Sequence, residues 1–101
     1  MSKKLIILGS GESGVGAAIL AKQQGYDVFV SDAGAINEKY KKELDEYGVA
    51  YEQGAHSAGK ILAADEVVKS PGIPDKNEMV KTIRSKGIPV ISEIQFCLKG
   101  I

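Results

Sequence analysis

The 101 residues suffice for one folded domain, and 44% apolar with 26% charged side chains is the make-up of an ordinary globular chain, not of a disordered or collagen-like one. Thirteen basic and thirteen acidic residues cancel, so no long-range field draws in nucleic acid or an anionic membrane, and any anion must be held by local geometry. A single cysteine, Cys97, excludes an internal disulfide, and the absence of a secretory or 18-residue apolar run makes a reducing cytoplasm the expected setting.

Strand and helix signals alternate along the chain, the pattern of an α/β fold. Lys4 to Leu8 reads as a first strand, apolar at nearly every position because both of its faces are covered. Ser13 to Gln24 reads as a helix with Val15, Ala18, Ile19 and Ala21 or Lys22 at helical spacing, closed by Gly25. Asp27 to Ser31 is a second strand. Asn37 caps a second helix to about Tyr47, with Tyr40, Leu44 and Tyr47 on one face, charges on the other and Gly48 as its stop. Val49 to Glu52 is a short third strand, and Ile61 to Ala64 forms one or two helical turns over the sheet.

Glu66 to Lys69 gives a fourth strand that runs into the turn Ser70-Pro71-Gly72-Ile73-Pro74, where Pro71-Gly72 suits the centre of a type II turn. Asp75 with Glu78 has the spacing of a capping box for a helix to Lys86, with Met79, Val80 and Ile83 on its apolar side. Gly87 stops it, Ile88 to Ile91 is a fifth strand, and Ser92 caps a final apolar helix to Leu98 that expects a neighbour to cover it. The sum is an α/β, Rossmann-like three-layer domain spanning residues 1–101, with a five-stranded, mostly parallel sheet.

The chemistry sits in the first turn. Gly9-Ser10-Gly11-Glu12-Ser13-Gly14 follows a strand, opens a helix and precedes a second apolar run, which Asp32 ends. Gly9 permits the sharp exit, Gly11 removes the Cβ that would hold a phosphate off the backbone, and Gly14 lets the helix pack close to the strand. The helix then aims unpaired amides and its positive dipole end at an anion. Asp32 sits where an acid accepts hydrogen bonds from a ribose or a base. Glu12 brings a carboxylate into a loop built for phosphate, where it either points outward or lies against the helix dipole.

In the common doubly wound order the fourth strand lies beside the first, on the side away from the second, so the loops after both border one crevice. Amides of Gly9 to Gly14 and of Ser70 to Pro74 are therefore expected to meet around one phosphorylated ligand. The chain has no glycine-lysine phosphate loop, no carboxylate pair spaced for acid–base work and no metal-ligand constellation. His56, the single histidine, reads as a loop residue, and Cys97, in an apolar run, as a core or interface residue.

The glycine loop, Ser31-Asp32, the segment Ala64 to Pro74 and the segment Gly87 to Ile94 together resemble the N-terminal domain of the bacterial Mur ligases, most closely the D-glutamate-adding branch. The resemblance covers Lys4 to Leu98. It implies a catalytically silent domain that binds UDP-N-acetylmuramoyl-L-alanine, with Gly11, Glu12, Ser13 and Gly14 along the diphosphate and ribose. Asp32 and Ala33 then lie toward the uracil, and Ser70, Pro71 and Gly72 close the pocket. Ala33-Gly34 replaces the polar or basic residues of some relatives. It further implies that D-glutamate is joined to the precursor's alanine through an acyl phosphate, using ATP and magnesium ions held by a central ATPase domain and a C-terminal domain outside these residues. The glycine loop and Asp32 serve equally in an NAD-binding domain of a dehydrogenase or regulatory module, which is the alternative.

Overall fold

A computed structural model describes residues 3–9, 11–70, 73, 76–92 and 96, without the side chains of Glu12 and Ser13. Nine elements alternate: β1 (Lys4–Leu8), α1 (Glu12–Gln23), β2 (Asp27–Asp32), α2 (Glu38–Glu46), β3 (Ala50–Gln53), α3 (Ala58–Ile61), β4 (Glu66–Lys69), α4 (Glu78–Ser85) and β5 (Val90–Ser92). The sheet order is β3-β2-β1-β4-β5, every neighbour parallel. It is thus wholly parallel, and β1 is central with Leu8 level with Ser31 on one side and Lys69 on the other.

Alternate strand residues face opposite layers. Leu5, Ile7, Val28, Val30 and Val68 pack with Val15, Ala17, Ala18 and Ala21 of α1 and Leu44 of α2. Ile6, Leu8 and Val67 pack instead with Ile61 of α3 and with Val80 and Ile83 of α4. Both faces of the sheet are buried, which is why its strands read as continuous apolar runs. Phe96 also joins the first cluster, its ring edge-on to Tyr26 at 5.7 Å.

The structure departs from the sequence reading at several ends. Tyr47 follows α2 as its C-cap and is 41% exposed rather than part of the apolar face. Lys22 is exposed and Ala21 takes the inward position. The helix before β4 is the four residues of α3. α4 is capped by Asn77, whose Oδ1 accepts from the Met79 amide at 2.9 Å, so Glu78 is the first helical residue and not the partner of an Asp75 cap. Ser92 ends β5 level with Lys69, and the final helix expected to Leu98 lies, apart from Phe96, outside the described residues. Pro71, Gly72, Pro74, Asp75 and Cys97 lie outside the described residues.

Candidate functional site

The carboxyl ends of the parallel strands open onto one cavity of about 290 Å³, lined by Gly9 and Gly11 after β1, Asp32 and Ala33 at the end of β2, His56 before α3, and Ser70, Ile73 and Asn77 after β4. This is the topological switch point of the sheet, where the chain winds away from β1 in both directions. The strand-one and strand-four loops meet here, as the strand order requires.

Their contact is close. The Gly9 amide donates to the Ser31 carbonyl at 2.9 Å and the Ser70 amide donates to the Leu8 carbonyl at 3.0 Å, which stitches the strand ends together. Gly9 adopts φ +100°, and a Cβ there would stand 2.7 Å from the Ser70 Cβ. Only glycine satisfies both the backbone turn and the approach of the second loop. The Ile73 amide donates to the Ser70 carbonyl at 3.0 Å, and the Lys69 ammonium donates to the Ile73 carbonyl at 2.7 Å, so that loop is tied back to β4.

These bonds revise one expectation. The amides of Gly9, Ser70 and Ile73 are used within the protein, and proline has no N–H, so the described part of the second loop supplies a wall and not a set of anion donors. Donors come instead from the start of α1. Gly11, with φ −69° and ψ 179°, is its N-cap and carries no capping side chain, and nothing lies within 4 Å of where its Cβ would be. The first-turn amides of a helix have no intrahelical acceptor. Gly14, inside the first turn of α1, is buried. Asn77 places the N-terminus of α4 on the same cavity, adding a second positive dipole end.

Asp32 is half-buried, and its Oδ1 accepts from the Gly34 amide at 2.8 Å, a local bond that fixes the carboxylate at the cavity edge. The Gly34 carbonyl accepts from the Gly54 amide at 3.0 Å, and the Ile36 amide donates to Gln53 Oε1 at 2.9 Å, so β3 holds the Ala33–Ile36 segment in place.

Sequence reasoning placed His56 in a loop, which holds, but missed that it lines the cavity. Its Nδ1 lies 2.6 Å from Oγ of the fully buried Ser31, which donates to Glu52 Oε2 at 2.7 Å. Glu52 also receives the amide and hydroxyl of Ser57, the N-cap of α3. Burial pushes the Glu52 carboxyl up, but the Ser57 and Ser31 hydrogen bonds and the charge of Lys60 outweigh it and hold the group below its usual value. The order is histidine, serine, carboxylate. A hydrolytic triad needs histidine in the middle and an accessible serine, so this network orients a side chain and does not activate a nucleophile.

A carboxyl depressed in the fold stabilises above its unfolded pKa, and that contribution fades as pH falls through the folded value. Glu52→Gln should therefore lower the melting temperature at pH 7 by several degrees. The gap to wild type should close below about pH 4, the carboxylate range. Thermal unfolding across that range checks the sign; a gap that widens on acidification contradicts it.

A second cavity of about 350 Å³ lies at the opposite end of the strands, lined among others by Lys4, Asp27, Phe29, Ala50 and Lys60. It is larger, but it has neither a long helix N-terminus nor the glycine loop, and the Lys60 ammonium stands 4.6 Å over the Phe29 ring. Ligands of open parallel sheets bind at the other end.

Residues 3–92 match the model of the N-terminal domain of MurD-like Mur ligases. The chain belongs to this family. The MurD-like domain is 59% identical over 101 residues to the UDP-N-acetylmuramoylalanine--D-glutamate ligase of Cytophaga hutchinsonii, covering all of this chain and 22% of that protein. It is 55% identical over 94 residues to the enzyme of the same name from Bacteroides fragilis, covering 93% of this chain and 21% of the relative. It thus spans about a fifth of the length of these relatives. Among solved structures, a murein peptide ligase from Psychrobacter arcticus superposes with a TM-score of 0.86 at 25% identity, over 97% of this chain and 20% of that one. Family membership favours the Mur ligase reading over the NAD-binding alternative.

Proposed function

We propose that this MurD-like domain anchors the nucleotide of UDP-N-acetylmuramoyl-L-alanine within a cytoplasmic ligase that adds D-glutamate to that precursor. The observation that carries the reading is the convergence of the Gly11 helix start, Asp32 and the Ser70 loop on one cavity, in a chain of this family. The diphosphate lies against Gly11, Glu12, Ser13 and Gly14 at the start of α1. Asp32 and Ala33 face the nucleoside. Ser70 bounds the pocket from the end of β4. Binding here fixes one reactant, so the domain contributes orientation and not bond making.

ATP and magnesium ions, which the ligase reaction needs to form an acyl phosphate for attack by D-glutamate, belong to parts of the protein outside this chain. The sequence has no glycine-lysine phosphate loop. No helix among the described residues is long and apolar enough to cross a membrane.

Titration of the protein with UDP-N-acetylmuramoyl-L-alanine and with NADH tests the reading: the uridine ligand should bind more tightly, and tighter NADH binding overturns it. In the complete ligase, Asp32→Ala should raise KM for the uridine substrate about 10- to 100-fold, the cost of a lost charge-assisted hydrogen bond. Its effect on melting temperature should be small, because the side chain is only half-buried. An unchanged KM would remove Asp32 from the site.

A further inference from the structure

His56 is the polar side chain of this cavity for which the nucleotide-anchoring account has no use, and its surroundings are built to hold it. Ser31 has one proton, which goes to the Glu52 carboxylate, so its oxygen accepts from the imidazole and Nδ1 carries the ring's hydrogen. In the neutral ring Nε2 is then an acceptor, and with Nδ1 spent on Ser31 it is the one ring nitrogen left for a ligand. Glu52 is in turn immobilised by two bonds from Ser57, so the orientation is fixed by β2, β3 and the cap of α3 together.

The histidine is not required to satisfy this network. Glu52 already receives three hydrogen bonds and Ser31 already donates, so a purely internal role leaves no reason for an imidazole on the cavity wall beside Asp32 and Ala33. Asp32, an acceptor, lines the same cavity.

We propose that His56 is a specificity-determining residue for the nucleoside part of the ligand: its Nε2 accepts a hydrogen bond from a ribose hydroxyl or a nucleobase N–H, so that with Asp32 the cavity offers two acceptors to a group rich in donors. The inference rests on the reading that this cavity binds the uridine nucleotide. Phosphate contacts remain with the start of α1, where donors are available. The Ser31–Glu52 chain is the positioning element, since it fixes which nitrogen bears the proton.

Steady-state kinetics of the complete ligase with UDP-N-acetylmuramoyl-L-alanine test the assignment. His56→Ala, and His56→Asn, whose amide reaches only the Nδ1 position, should raise KM about tenfold with kcat within twofold of wild type. His56→Gln, whose amide reaches the Nε2 position, should recover most of the loss. Ser31→Ala, which leaves the imidazole but releases it, should show part of the effect. The penalty of His56→Ala should vanish with either 2′- or 3′-deoxyribose substrate if the donor is a hydroxyl, and with N3-methyluracil substrate if it is the base. A penalty that persists with all three analogues overturns the proposal. So does an unchanged KM in His56→Ala while Gly11→Val raises it, an outcome that leaves the nucleotide site standing. Unchanged KM in both variants overturns the site itself.

Discussion

Gly9→Ala should destabilise the protein by about 3 kcal/mol, summing the cost of a left-handed φ with that of forcing a methyl group into a packed contact. The Gly9 backbone stands at φ +100°, and the new Cβ would meet the Ser70 Cβ at 2.7 Å, where no real carbon pair sits. For a domain of this size that is a fall of roughly 12–24 °C in melting temperature. The neighbour cannot yield freely, because Ser70 is fixed to Leu8 through its amide and to Ile73 through its carbonyl. Adding Ser70→Gly removes the carbon it strikes. Calorimetry of the double variant should therefore recover the steric part and leave the backbone part, giving a coupling of about 1 kcal/mol or more. A Gly9→Ala protein that melts with wild type would mean that the two loops do not touch as described.

Gly11→Val should act in the opposite manner, sparing the fold and abolishing the site. Gly11 has ordinary extended backbone angles and open space around its missing Cβ, so the structure has nothing for valine to strike. The expected stability cost is about 1 kcal/mol, from placing a poor residue at a helix N-cap. In the proposed site the diphosphate approaches the first-turn amides through that open space, and a branched side chain fills it. KM for the uridine substrate should rise at least tenfold in the complete ligase. Two glycines two residues apart would thus separate cleanly, one failing by melting temperature and the other by affinity. A Gly11→Val enzyme with wild-type KM would place the diphosphate elsewhere.

The contrast shows what could be read from the residues. The β1 strand, the tight exit at Gly9 and the end of β2 at Asp32 were legible, because burial on both faces leaves a continuous apolar run and the turn that follows admits few residue types. The pairing of the Ser70 loop with the glycine loop followed from strand order. What escaped depends on distances that spacing does not encode. Asp75 and Asn77 are both good capping residues, and only the Asn77 contact with the Met79 amide decides between them. Tyr47 lies at helical spacing from Leu44, yet α2 stops at Glu46, one residue short of carrying it over the core. The amide donors expected from Ser70 and Ile73 are consumed by Leu8 and by the turn itself.

His56 shows the same limit at the site. A lone histidine among glycine, alanine and serine makes no motif, and its tie to Ser31 spans 25 positions. One signal was present. Every loop after a parallel strand ends on the same edge of the sheet, so a polar side chain following β3 belongs on the roster of cavity residues by topology alone.

The proposed seat of the uridine diphosphate group is the start of α1, between β1 and β4. Amide NMR of this chain during titration with UDP reads that position directly. Saturable shifts are expected at Gly11, Ala33 and Gly34, with Lys4, Asp27 and Gly59 at the far end unmoved. Shifts confined to Lys4, Asp27 and Gly59, or none at Gly11 under saturation, would contradict that placement.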